Sequence, residues 1–267
     1  MNSEKLLIHL ELKQGYNKVF DRGEHNMALT AFGVIQLAAG SSYRASTGEC
    51  EVALVLLGGR CAVRGEAFDF AEVGARRNVF DGRPHTVYLP RRTAYEIAAV
   101  TDADIAYNAS PATRDTAKPC VITPEMTREL TLGRDNFTRK ATIMIDETFD
   151  SEHFYIGEGM IPSGNWSGYP PHRHDIDNPP EEIDMEETYF FYRFNPPQGF
   201  GIQKVYTSDG RIDETYTVRN NDTVAIAEGY HPLCGAPGYE MYYLWTMAGR
   251  VNRGLISAKD PRHGWVK

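Results

Sequence analysis

Apolar residues along this chain fall in short, often alternating runs rather than at the spacing of three and four that marks an amphipathic helix. Residues 31–37, 51–57, 61–64, 87–89, 94–98 and 103–107 are such runs, and clusters of Gly, Pro, Asn and Asp punctuate them. Regularly recurring short strands with turn signals between them predict an all-β sandwich or barrel. Residues 110–124 have the composition of a linker, and a second set of strand-like runs begins beyond Asn136. The pattern therefore predicts two β domains, 1–120 and 121–267.

Composition narrows the function. With 42% hydrophobic residues in 267, the chain has ample material for a core. A net charge of -8 and the lack of a concentrated Lys/Arg run argue against nucleic acid or an anionic membrane as partner. The N-terminal stretch carries charges within its short apolar run, unlike a secretory signal or transit peptide, and no apolar run is long enough to span a bilayer. Cys50, Cys61, Cys120 and Cys234 show no C-x-x-C pairing, which is the pattern of reduced, buried thiols in a cytoplasmic protein.

The chemistry concentrates in the second half. In an extended segment side chains alternate, so His172 and His174 of the sequence PPHRH point the same way and can bind one ion together, while Arg173 points away. Glu187 opens an aromatic-rich strand-like run, and His231 sits on the turn after a second such run that begins at Asp222. A lone H-x-H is commonly a solvated surface pair; here a carboxylate and a third imidazole accompany it in barrel-like context. Three imidazoles and one carboxylate suit Zn, Mn, Fe or Ni about equally, and on a six-coordinate ion they leave two adjacent positions for a chelating substrate. The first half repeats the strand pattern around residues 38–51 and 87–95 without these histidines, so it reads as a copy with no metal. His85 alone near that turn reads as a loop cap.

Five motifs, GRDNFTR at 133–139, GNWSGYPPHRHD at 164–175, PPEE at 179–182, NPPQGF at 195–200 and GYHP at 229–232, resemble those of a known family. The whole chain is similar to the bicupin 5-deoxy-glucuronate isomerases of bacterial myo-inositol catabolism and, more distantly, to the hexuronate ketol-isomerases of pectin breakdown. The resemblance implies two cupin β-barrels and one divalent metal ion (Zn, Mn or Fe) on His172, His174, Glu187 and His231. It also implies isomerisation of a small-molecule uronate, 5-deoxy-D-glucuronate, to 5-dehydro-2-deoxy-D-gluconate in the cytoplasm, and it leaves a homo-oligomer open. Twelve residues separate His174 from Glu187, a longer gap than is usual among cupins, which makes Glu182 and Glu186 competitors for the acidic ligand.

Aldose-ketose isomerisation needs an electrophile to stabilise charge on the carbonyl oxygen and a group that moves a proton between neighbouring carbons. Alternation from Glu187 places Tyr189, Phe191 and Arg193 on the metal side, and either Gln203 or Lys204 faces in on the next strand. One of Tyr242 and Tyr243 also points inward. Glu187, Tyr189, Lys204 and Tyr243 are the candidates for proton transfer, although tyrosines fill barrel interiors routinely. Arg134, Arg139 and Arg193 are candidates for the substrate carboxylate, and Asn136, Asn165 and Gln203 for its hydroxyls. The competing activity for such a ligand set is a metal-dependent cupin dioxygenase, which would consume oxygen. A sugar-binding regulator would need a DNA-binding motif that the sequence lacks.

Overall fold

The structure, a computed structural model, describes residues 5–266. Among these the only helices are four short 3-10 turns, and no helix is long and apolar enough to cross a membrane. A six-stranded antiparallel sheet, ordered Cys120–Ile122, Thr86–Leu89, Cys50–Gly58, Ala103–Pro111, Ala31–Leu37 and Gly15–Phe20, faces a four-stranded sheet built from Ser42–Ser46, Ala94–Ala99, Cys61–Gly65 and Phe68–Val73. The second half repeats the plan with a seven-stranded sheet that includes Asp222–Ile226, Met185–Asn195, Glu240–Gly249, Phe154–Ile161 and Arg139–Ile145. Opposite it stands a four-stranded sheet of Trp166–Ser167, Leu233–Gly235, Gly201–Tyr206 and Asp213–Val218. The near-terminal strand Leu7–His9 adds to the seven-stranded sheet, with Leu7 opposite Val224 and His9 opposite Asp222.

Three cores follow from strand alternation. Val52, Leu54 and Leu56 point into the first half's interior with Ile35, Val87 and Ile97, whereas Ala53, Val55 and Leu57 point out of it. Those outward residues are buried too, because the six- and seven-stranded sheets pack on each other through Phe32, Phe154, Phe190, Tyr242 and Leu244. The third core, with Tyr155, Phe191, Val224, Tyr243 and Trp245, fills the interior of the second half. Burial on both faces explains why the 51–57 run reads as continuously apolar rather than alternating.

Candidate metal centre

Met185–Asn195 carries the acid of the site. It is a central strand, hydrogen-bonded to Asp222–Ile226 on one side and Glu240–Gly249 on the other, so its pleat is fixed. Glu187, Tyr189 and Phe191 face the interior of the second half, while Phe190 and Tyr192 face the inter-sheet core. Glu186, one residue out of phase, accepts the backbone N–H groups of Ala28 at 2.7 Å, Leu29 at 2.9 Å and Thr30 at 2.5 Å. Glu182 accepts the N–H groups of Asp175 at 3.0 Å and Ile176 at 3.2 Å. Both competitors for the acidic ligand are thereby committed elsewhere.

Glu187 meets two imidazoles. One of its oxygens, Oε2, lies 3.2 Å from His174 Nε2 and 3.2 Å from His231 Nε2, and all three residues are buried. His172 stands beside this close group rather than within it, its ring centre 5.1 Å from that of His231 and 6.3 Å from that of His174. Each histidine has its Nδ1 at a backbone carbonyl: His174 at Met185 O, 2.6 Å; His231 at Gly229 O, 2.8 Å; His172 at Pro170 O, 3.2 Å. Such bonds put the proton on Nδ1 and leave the Nε2 lone pairs for a metal. Buried His231 Nε2 has no hydrogen-bond partner, a cost that a coordinate bond would remove. The donor set fits one divalent cation, with His174, Glu187 and His231 grouped closely enough to share it.

The electrostatics agree with that use. Burial alone would push the Glu187 carboxyl up, but the His174 and His231 imidazoles beside it outweigh that and hold the group at about 2. Burial likewise works against a charged His174, and the Glu187 contact overrides it and raises the imidazole. His172, desolvated and beside two other imidazoles, is pushed down to about 3 and stays neutral. An anionic carboxylate among imidazoles is compatible with a divalent cation.

A cavity of about 540 Å³ opens on this group. Its walls bring in Tyr189, Tyr243, Arg139 and, near the mouth, the well-exposed Arg134. Tyr243 Oη lies 2.8 Å from Ser167 Oγ, and its ring packs 4.9 Å from that of Tyr189. Burial drives both phenols up, Tyr243 to about 12, so both stay protonated at neutral pH. Arg139 gives one nitrogen, Nη1, to the carbonyls of Phe137 at 3.1 Å and Tyr169 at 3.4 Å. Glycines make room for the aromatic rings. A Cβ at Gly159 would stand 2.6 Å from Tyr243, and one at Gly157 would stand 2.1 Å from Trp245.

Five of the expected residues lie elsewhere. Arg193 is turned off the metal side by a register shift between Phe190 and Arg193, and it bonds Asn221 Oδ1 at 2.8 Å beside Tyr192. Lys204 faces out and pairs with Asp213 at 2.5 Å, because its neighbour Gln203 is the inward residue of that strand. Gln203 is buried but off the cavity lining, and its amide nitrogen donates to His231 O at 2.8 Å. Asn136 is exposed and also off the lining, and Asn165 shapes a turn through Thr138 O at 2.7 Å. Tyr242 points to the inter-sheet core and donates to Glu158 at 2.9 Å. The cavity also has a wall from residues 254–257 and Lys259. Pairing of Ala258–Lys259 with His172–Arg173 brings that tail to the site, and no local sequence signal announces so distant a contact. Ser167, by contrast, lies inside the GNWSGYPPHRHD motif.

Two β-barrel-like halves, one with a His/Glu group at the foot of its cavity, define a bicupin. The shape matches oxalate decarboxylase at a TM-score of 0.64 with 12% identity over 96% of this chain and 79% of that one, a likeness of fold alone. The chain belongs to the KduI/IolB family, whose profile matches residues 7–266. It is 39% identical to a 5-deoxy-glucuronate isomerase of Geobacillus kaustophilus over 88% of this chain and 84% of that protein. Its identity to the 5-deoxy-glucuronate isomerase of Bacillus subtilis strain 168 is 37%, over 96% of this chain and 95% of the other. The crystal structure of an IolB-like protein from Salmonella typhimurium superposes with a TM-score of 0.93 at 30% identity, covering 98% of this chain and 99% of that one.

Proposed function

We propose that this protein is an aldose-ketose isomerase that converts 5-deoxy-D-glucuronate to 5-dehydro-2-deoxy-D-gluconate by proton transfer through an enediolate. The observation that carries the reading is the convergence of Nδ1-anchored imidazoles and Glu187 on one side of a cavity that also holds a guanidinium and two protonated phenols. The names of the relatives in the same family support the substrate. A dioxygenase is not favoured, since none of those relatives is named as one.

His172, His174, Glu187 and His231 would hold one divalent ion. When bound, that ion would supply Lewis-acid stabilisation of negative charge on the substrate's carbonyl and hydroxyl oxygens. Arg139, with Nη1 committed to two carbonyls and a rigid position, offers its remaining N–H groups to the substrate carboxylate. Glu187, the only carboxylate lining the cavity among the described residues, would take the proton from the hydroxyl-bearing carbon and return it to the former aldehyde carbon, while Tyr243, coupled to Ser167, donates to the oxygen on which charge develops and carries the hydroxyl proton between the two oxygens. Tyr189, its ring tilted against that of Tyr243, excludes water and holds Tyr243 in place. The metal barrel takes in the strands from Arg128–Leu132 onward with Leu7–His9 added, and the half formed by the strands from Gly15–Phe20 to Cys120–Ile122, two residues past the expected boundary at 120, serves as its scaffold. Four free cysteines support a reducing, cytoplasmic setting.

Proton NMR of 5-deoxy-D-glucuronate incubated anaerobically in heavy water with metal-loaded protein tests the activity. The expected result is the ketone, with deuterium at the former aldehyde carbon, and no product after chelation. Unchanged substrate on protein shown to carry metal overturns the reading. His174→Ala should remove metal and activity together while circular dichroism stays that of the folded barrel; full metal content in that variant would overturn the ligand assignment.

A further inference from the structure

The acidic segment between His174 and Glu187 has the composition and place of a flap over the substrate, yet none of residues 175–186 lines the cavity. The segment lies behind the metal group. Asp175, half-buried, accepts the backbone N–H of Gly229 on Oδ2 at 2.7 Å. Gly229 in turn presents its carbonyl to His231 Nδ1 at 2.8 Å. Gly229 has a φ of +98°, and a Cβ there would stand 2.7 Å from Tyr206 O, so this peptide has little freedom to choose another orientation.

The segment is fastened to hold Asp175 in that place. Buried Glu182 accepts the N–H groups of Asp175 and Ile176, and the Arg173 guanidinium lies 3.4 Å from Glu182 and 3.6 Å from Asp175. At its tip Asn178 N donates to Glu182 O at 2.9 Å, closing the segment on itself. Where the segment rejoins the strand, Met185 N donates to His174 O at 2.8 Å, while Met185 O takes His174 Nδ1. Both ends of the excursion therefore orient a metal-binding imidazole.

We infer that residues 175–186 form a buttress for the metal centre rather than a substrate lid, and that Asp175 is a positioning residue acting on His231 through the Gly229 peptide. The inference rests on the metal reading above. An outer partner of a ligating histidine sets its ring angle and basicity, and losing one typically weakens metal binding by about 10- to 100-fold.

The test compares Asp175→Ala, which removes the acceptor, with Asp175→Asn, which keeps one. Zinc affinity of the stripped protein, measured against a chelating dye, should fall by about ten-fold or more in D175A and by much less in D175N. At saturating metal, KM for the uronate should stay near wild type. Hydrogen exchange at the Gly229 amide should be slow in wild type and D175N and fast in D175A. A D175A protein with wild-type zinc affinity and a raised KM overturns the buttress and makes the segment a lid. If D175A does not fold, rapid exchange at Gly229 in the wild type overturns it instead. Wild-type protein that binds no zinc refutes the metal reading alone, and the Gly229 exchange still decides the role of Asp175.

Discussion

At the scale of single residues, the site depends on side chains whose work is to hold others. Gln203 sends its amide nitrogen to the carbonyls of His231 at 2.8 Å and Pro232 at 3.3 Å, from inside the barrel. Gln203→Leu keeps the volume and strands the His231 carbonyl, since that of Pro232 still accepts the Lys204 N–H at 3.0 Å, and this costs about 1–3 kcal/mol where the carbonyl stays buried. Its zinc affinity by dye competition should fall about ten-fold, and a Gln203→Leu protein with unchanged affinity would remove Gln203 from the support of His231. Asp260 anchors the tail in a similar way, accepting from Tyr206 Oη at 2.7 Å and Arg262 Nη2 at 2.8 Å while its own N–H bonds Pro171 O at 2.8 Å. Burial would raise this carboxyl, but the Arg262 and Tyr206 bonds prevail and hold it at about 2, below its ordinary 3.8. A folded-state value below the unfolded one gives stability that is present above the unfolded value and lost as pH falls through the folded one. Urea midpoints of wild type should therefore drop between about pH 4 and 2 more than those of Asp260→Asn. Equal acid slopes would show that the Asp260 bonds contribute nothing to folding.

At the scale of elements, the alternation of Met185–Asn195 was readable as far as Phe191, and it chose Glu187 over Glu186 and placed Tyr189 on the metal side. It failed at Arg193 because one extra residue in the strand reverses the phase, and nothing in the FFYRF run marks where that residue enters. The Gln203 or Lys204 ambiguity had the same origin: an apolar-poor strand does not declare its phase, and the pairing of Gln203 with Leu233 and Tyr216 decides it. The tail wall and Lys259 were illegible for a different reason, since only pairing across the whole second half brings residue 259 to His172. Phe154–Ile161 shows what a strand gives up to house a site. Gly157 and Gly159 leave the inner face bare so that Trp245 and Tyr243 can lie against the backbone. Gly157→Ala should cost about 1–3 kcal/mol, through overpacking against the Trp245 ring, and should blue- or red-shift its fluorescence. A wild-type urea midpoint and unchanged emission would mean that the ring moves aside freely.

At the scale of the whole molecule, the two halves share one core and one buried ion pair. Arg76, from the first half, donates from Nη1 and Nη2 to the two oxygens of Glu158 in the second, each at 3.0 Å, and Tyr242 Oη donates to the same carboxylate at 2.9 Å. Arg76 and Glu158 are almost wholly buried, 3% and 5% exposed. The Glu186 carboxylate bridges the halves again through Ala28, Leu29 and Thr30. With Leu7–His9 paired into the far sheet, the halves should unfold together rather than in turn. The three tryptophans, Trp166, Trp245 and Trp265, all lie in the second half, so their fluorescence reports that half while far-ultraviolet dichroism reports both. Arg76→Met leaves Glu158 charged and buried without its partner and should destabilise by about 3–5 kcal/mol. Because the lesion sits between the halves, both probes should shift to the same lower urea midpoint. Adding Glu158→Leu removes the stranded charge and should recover much of the loss, leaving the Tyr242 hydroxyl and the Leu56 and Gly82 carbonyls that Arg76 served as the remaining cost. A fluorescence midpoint that stays at the wild-type value while dichroism shows a separate early step would mean that the first half unfolds alone, and that the metal barrel does not need it as a scaffold.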